Sequence, residues 1–376
     1  MAERQPASTV PGSQGSTAFR IVDCDVHERP RALTELVPYL EPQFRRYITE
    51  AGYAVEFPRP HRQLTAGGGD RADAKPADGS RAGSDIELLR AQLLDGCNEE
   101  FSVLCGAVNL NASGTDPSWV EFKTALMSAY NDWIVDKWLS GDDRLVASIH
   151  LNAHDPERAV REIDRLASHP RMVQAMMYVS QCAFGEPYYH PIYEAAQRHG
   201  LVLAMHPANP RSGLGWGRYY VEWTTCLPQA IQCQLASLVF NGVFEKFPRL
   251  KFIMVEGGFA WVPSFLWHMD QRYRELRAEV PWLTRLPSQM VRDQVRFTTQ
   301  PMDQLTAAQL LQVFEQLESD ELVCFSTDYP HWDFDSPFSS FPGGLPETLK
   351  RKIFRDNALR WCDKLRTAPV QNGQPG

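Results

Sequence analysis

RIVDCDVH, residues 20–27, is an apolar run that ends in charge. Extended, it places Asp23, Asp25 and His27 on one face and Cys24 and Val26 on the other, because successive side chains of a strand alternate. Two carboxylates and an imidazole on one buried face are costly unless something cationic receives them. Seven further runs share the short, Val/Ile/Leu/Phe-rich character of buried parallel strands: Phe101–Ala107, Arg144–Leu151, Met172–Val179, Leu201–Met205, Leu250–Val255, Val295–Thr299 and Leu322–Ser326. Helical stretches separate them. Asp155 before Pro156 reads as a cap followed by proline at the first helical position. Pro191–Arg198, Pro228–Lys246, Val262–Ala278, Leu305–Leu317 and Pro346–Cys362 are the clearest others. Eight strands, each followed by a helix, predict an α/β chain folded as a (β/α)8 TIM barrel. The rival doubly wound sheet would normally carry a Gly-rich phosphate turn after its first strand, and this chain has none.

Working outward, 376 residues would divide into two or three domains at about 150 residues each, yet one elaborated barrel uses most of that length. We expect a single domain over residues 19–363, with disordered tails at 1–18 and 364–376 and a flexible, solvated insertion over 59–84. With 38 basic against 46 acidic residues the net charge is -8, which argues against nucleic acid as a partner. The longest uncharged stretch, Trp223–Phe244, includes Pro228, Gln229, Gln232, Gln234 and Asn241. That is too polar for a lipid-exposed span and predicts a buried helix instead. The N-terminus shows no apolar secretory region. The eight cysteines form no C-x-x-C pair, so reduced thiols in the cytoplasm are expected.

A barrel gathers the C-terminal ends of its strands at one mouth. His206 follows the fifth apolar run and Asp328 the eighth, so both should converge with Asp25 and His27. Histidines and carboxylates suit one divalent Zn, Mn or Fe ion, with positions left for water or substrate. Each signal alone has a bland reading, a capped strand end or a turn. Their joint occurrence at strand ends carries the inference.

The stretches IVDCDVHERP, HPIYEAAQRHGLVLAMHP, LVFNGVFEKFPRLKFIMVEGGFAWVP and FSTDYPHWDFDSP, with YNDWIVDKW and HDPERAVREI, together resemble the amidohydrolase superfamily. The resemblance is to the "amidohydrolase 2" branch, which includes aminocarboxymuconate-semialdehyde decarboxylase, and it runs from Arg20 to Cys362. It implies a metal-centred barrel with Asp25, His27, His206 and Asp328 as ligands, acting on a small-molecule substrate, and a homodimer. Asp25 stands where many members carry histidine, which shifts the expected metal from Zn towards Mn or Fe. Glu256, in Val255-Glu256-Gly257-Gly258, stands where the decarboxylases usually have a histidine. It is a candidate general base, proton donor or ligand to a second metal; its bland reading is a charge at a helix N-terminus.

Asp328 and His331 are the other catalytic candidates; His331 would donate to substrate or to a neighbour of the metal. Arg29, His150, Tyr178 and Trp332 are candidates for substrate binding, with Trp223 as a further pocket wall and His154 assigned to a helix-start turn. The leading expectation is a metal-dependent lyase or hydrolase acting on a small aromatic or conjugated carboxylate or carbonyl compound. The alternatives are an iron- or manganese-dependent oxygenase on the same barrel and a catalytically quiet subunit supporting a paralogous partner.

Overall fold

Parallel strands bury both faces, and the apolar runs form eight of them in this computed structural model: β1 (Ile21–Val26), β2 (Glu99–Leu104), β3 (Leu145–His150), β4 (Met172–Val179), β5 (Val202–Pro207), β6 (Lys251–Met254), β7 (Val295–Thr298) and β8 (Val323–Cys324). The structure describes residues 19–53, 68–107, 110, 119–179, 182–208 and 218–369. The expected tail over 1–18, the first part of the insertion and residues 370–376 lie outside them. Every neighbouring pair from β1 to β8 is parallel and in chain order. The ring closes where β8 returns to β1: Cys24 N–H donates to Phe325 O at 3.0 Å, His27 N–H to Tyr329 O at 2.7 Å and Asp328 N–H to Asp25 O at 3.1 Å. This is a (β/α)8 TIM barrel.

β8 is shorter than the sequence suggests because side chains replace its later ladder bonds. Ser326 N–H donates to Thr299 Oγ1 at 3.0 Å, and Gln300 N–H to Ser326 Oγ at 3.2 Å. The Asp155 cap forms as expected, accepting from Arg158 N–H before the helix Pro156–Leu166, whose Ala159, Ile163 and Leu166 are buried. The uncharged stretch is not one buried helix. It breaks into Tyr220–Cys226, which buries no residue, then Pro228–Phe240 and Val243–Lys246. Gly242, at φ 75°, makes the second break, and the Trp282 indole fills the space where its Cβ would stand. Among the described residues, no helix is long and apolar enough to cross a membrane.

Two boundaries differ from the expectation. Asp363–Thr367 is helical and buries Leu365, while Lys364 Nζ donates to His169 O at 3.2 Å and Met172 O at 2.8 Å. The chain is thus held at the barrel where a loose tail was expected. The described part of the insertion is part packed and part solvated: Ala74 and Ala82 are fully buried, while Ala77, Asp78 and Gly79 are exposed. Its backbone joins the mouth: Arg29 N–H donates to Gly83 O at 2.8 Å and Arg71 N–H to Pro330 O at 2.8 Å. Small residues made it look solvated, but they let its main chain sit against the strand ends.

Candidate active site

At the end of β1 the shared face divides between two duties. Asp23, fully buried, accepts from Thr327 N–H at 3.0 Å, Thr327 Oγ1 at 2.5 Å and Asp25 N–H at 3.1 Å. It ties β1 to the chain beyond β8, and its carboxyl is spent on that tie. Burial pushes its pKa up to about 7 against those bonds.

Asp25 and His27 point into the mouth. His27 Nε2 lies 3.2 Å from Asp25 Oδ1 and 3.0 Å from Asp328 Oδ1. From β5, His206 Nδ1 donates to the Pro207 carbonyl at 2.8 Å. That bond fixes the tautomer and leaves Nε2 facing Asp25 Oδ2 at 3.7 Å and Glu256 Oε2 at 3.1 Å. Asp25, His27 and His206 each offer a ligand atom within 4.8 Å of the others, and so do His27, Asp328 and His331. Strand-end sequence reasoning therefore brings together all four proposed ligands.

The donor set can be tested for fit to a cation. Both Asp25 oxygens, both His27 nitrogens, His206 Nε2 and Asp328 Oδ2 are buried without a hydrogen-bond partner. Close approach without hydrogen-bonding geometry, from side chains at most 1 % exposed, is expensive. Each unmatched buried group costs about 1–3 kcal/mol, and charged ones more. A divalent cation would satisfy them together, and imidazole with carboxylate is a set such ions accept.

Two side chains reach this point from unusual backbone. Glu256 has φ 52° and Asp328 φ 59°, the left-handed region that costs a non-glycine residue about 1–2 kcal/mol. Strain of this kind, held at strand ends, is typical of functional positions. Thr298 Oγ1 accepts from Glu256 N–H at 3.0 Å and pins the turn.

The electrostatics separate acids from bases. Burial, with the nearby Asp328 and Asp25 carboxylates, holds the Glu256 carboxyl well above its ordinary range. Burial would raise Asp328 too, but His331 and His27 overcome it and hold Asp328 low. Burial pushes His206 down to about 4, against the pull of Asp25. It also pushes His150 down to about 3, with His27 and His206 adding repulsion. For His27, burial acts in the same direction, yet Asp25 and Asp328 keep its pKa well above normal.

Of the binding candidates, His150 Nδ1 and Tyr178 OH meet at 2.5 Å, and the Tyr178 ring lies 6.3 Å from that of His206. Arg29 reaches His331 Nε2 at 2.7 Å and Asp70 Oδ1 at 2.9 Å. His331 Nδ1 lies 2.6 Å from Asp328 Oδ1. Trp332 is half-buried, with its backbone N–H on Gly69 O at 3.2 Å, and belongs to the rim. Trp223 stacks on Tyr220 at 5.6 Å between ring centroids, on the helix that buries nothing.

Sequence reasoning missed three groups at the mouth. Asp333, pushed up to about 7 by burial and by Asp328, belongs to the same turn as His331. Gln300, fully buried with both amide atoms unmatched, lies just past β7, and the strand-end rule applied to the seventh strand would have found it. Asp70 sits in the insertion and carries no local signal.

A parallel barrel whose mouth gathers buried carboxylates and imidazoles around ion-sized spacings defines a metal-site TIM-barrel enzyme. The Amidohydrolase family model matches residues 22–362, and the chain belongs to that family. It is 23% identical over 299 residues to a gamma-resorcylate decarboxylase from Polaromonas sp. (strain JS666 / ATCC BAA-500), covering 73% of this chain and 86% of the relative. Among solved structures it resembles an amidohydrolase from Mycobacterium avium subsp. paratuberculosis K-10 at TM-score 0.72 and 20% identity, over 93% of this chain and all of that one (100%). It also resembles 5-carboxyvanillate decarboxylase from Novosphingobium aromaticivorans, complexed with manganese and 4-hydroxy-3-methoxy-5-nitrobenzoic acid, at TM-score 0.66 and 16% identity, over 93% and 97% of the two chains. At these identities the structural likenesses speak for the fold.

Proposed function

We propose that the chain is a metal-dependent decarboxylase of a small aromatic carboxylate, with one divalent cation held by Asp25, His27, His206 and Asp328. The observation that carries this reading is the convergence of their buried, unmatched ligand atoms at the mouth. The curated relative and the manganese-bound structure, both decarboxylases by name, support it. A carboxylate-rich set favours Mn or Fe over Zn.

Held by Asp25, His27, His206 and Asp328, a bound cation would supply Lewis acidity to the substrate's oxygens. The chain's own part is the proton. As the bond between ring carbon and carboxylate breaks, its electron pair stays on the ring carbon and carbon dioxide leaves. Glu256, whose carboxyl burial and the neighbouring Asp328 and Asp25 raise above its ordinary range, is the group placed to supply the proton that carbon requires. His150 and Tyr178 form the wall beside His206. The eight free thiols accord with a reducing compartment, and we place the protein in the cytoplasm.

The test is elemental analysis of the purified protein, followed by carbon dioxide release from 2,6-dihydroxybenzoate and 5-carboxyvanillate. Single Asp25→Ala, His27→Ala, His206→Ala and Asp328→Ala variants should lose metal; full occupancy in all four removes the site assignment. The closeness of Glu256 to His206 also favours a second reading, an iron- or manganese-dependent oxygenase. Oxygen consumption that tracks bound iron would establish it, and undiminished turnover under anaerobic conditions would exclude it.

A further inference from the structure

Four side chains form a chain of contacts behind the proposed metal ligands. Asp70 Oδ1 accepts from Arg29 Nη1 at 2.9 Å, Arg29 Nη2 meets His331 Nε2 at 2.7 Å, and His331 Nδ1 meets Asp328 Oδ1 at 2.6 Å. Asp70, Arg29 and His331 are 21%, 11% and 17% exposed, so solvent competes weakly for these contacts. Backbone bonds hold the first three members of this chain. Asp70 and His331 form an antiparallel bridge, Trp332 N–H donates to Gly69 O at 3.2 Å, and Arg29 N–H donates to Gly83 O at 2.8 Å.

Donor and acceptor rules give this chain one direction. A guanidinium donates only and keeps its proton in proteins. His331 Nε2 must therefore accept, which forbids a proton there and excludes the imidazolium. The single ring proton then sits on Nδ1 and donates to Asp328 Oδ1. With Oδ1 engaged, Asp328 Oδ2 is left buried and unmatched for the site. On the metal-site reading just given, on which this depends for its purpose, we infer that Asp70 and Arg29 are positioning residues that lock His331 as the Nδ1–H tautomer, so that His331 aims the Asp328 carboxylate at the cation. His331 is then no proton carrier, and both terminal nitrogens of Arg29 are committed within the protein. The insertion that supplies Asp70 becomes part of the active site. Buried partners of metal ligands act in this way, orienting the ligand and raising its affinity.

The test reads the tautomer directly. Protein labelled with 15N-histidine, as purified and again loaded with Zn(II), is examined by long-range proton–nitrogen correlation, with His331→Gln identifying the resonance. The expected spectrum shows Nδ1 protonated and Nε2 bare. Arg29→Met should lose that single-tautomer pattern, Arg29→Lys should keep it, and Asp70→Asn should weaken it. In parallel, Mn(II) affinity should fall roughly 10- to 100-fold in His331→Gln and in Arg29→Met, with Arg29→Lys closer to wild type. A proton on Nε2 in the wild-type protein, or an unchanged pattern in Arg29→Met, overturns the inference. Protein that shows the tautomer and its loss, yet binds neither Zn(II) nor Mn(II), supports the hydrogen-bond chain and fails the metal reading.

Discussion

Glu256 Oε2 lies 3.1 Å from His206 Nε2, and Glu256 reaches it from a backbone at φ 52°. The carboxyl is 19% exposed and so faces both the cluster and the open mouth. An acid that must meet substrate needs such a position. A structural ligand would be enclosed, as Asp25 is. We expect Glu256→Gln to keep the metal content of wild type while kcat falls about 10²- to 10⁴-fold, the usual loss for a general acid. Metal analysis beside steady-state kinetics checks it; loss of metal in Glu256→Gln would reassign the residue as a ligand.

The metal-free site should resist loading at low pH. Burial acts against a charged His27, but Asp25 and Asp328 together hold its pKa well above the ordinary value of about 6.5. Without a cation, the ring therefore holds its proton to a higher pH than an ordinary imidazole. A cation at Nε2 must displace that proton, so apparent affinity should rise with pH, by at most about tenfold per pH unit. A raised histidine pKa supports the metal-free fold below the unfolded value, and the support is lost as pH rises through the folded value. Melting with and without Mn(II) at about pH 6 and about pH 8 should show a larger metal-induced rise at the higher pH. At 100 times Kd the metal adds about 2.7 kcal/mol. An equal or larger rise at the lower pH would contradict the pairing of His27 with Asp25 and Asp328.

Asp23 ties the barrel shut rather than binding the cation, and this has a measurable consequence. Thr327 gives it both a backbone and a hydroxyl donor. Thr327→Val retains the shape and removes the hydroxyl, leaving one oxygen of a fully buried carboxyl short of a partner. We expect a loss of about 1–3 kcal/mol in urea denaturation. A change within about 0.5 kcal/mol, ordinary for a surface position, would show that the tie contributes little.

The barrel was legible because eight parallel strands buried on both faces read as apolar runs, and the site because strand ends share one mouth. Asp25, His27, His206, Glu256 and Asp328 were all visible that way. Asp23 was misleading: alternation gives a side chain's face but not its depth, and one step down the strand the partner is Thr327 instead of the cluster. Alternation likewise says nothing of Asp70. Its position depends on main-chain bonds from the insertion to Pro330, His331 and Arg29, and those follow from shape, not from residue pattern. The length of the uncharged stretch concealed its break at Gly242, where a tertiary contact with Trp282 decides the geometry.

Gly83 shows how closely the insertion is fitted to the mouth. It has φ +78°, and a Cβ there would stand 2.4 Å from His27 O and 3.1 Å from Pro330 Cγ. The first contact is with main chain at a proposed ligand, so relief requires the insertion or the end of β1 to move. Gly79 has a similar φ of +81° but nothing within 4 Å of its would-be Cβ, which makes it the control. Gly79→Ala should cost only the backbone penalty, about 1–2 kcal/mol, and leave activity intact. Gly83→Ala should cost more than that and also lower kcat, because displacement shifts His27 and loosens Arg29 from Gly83 O. Thermal melts and kinetics of the two variants, compared directly, settle the point: equal losses of stability with unchanged activity in both would mean that the insertion merely covers the mouth.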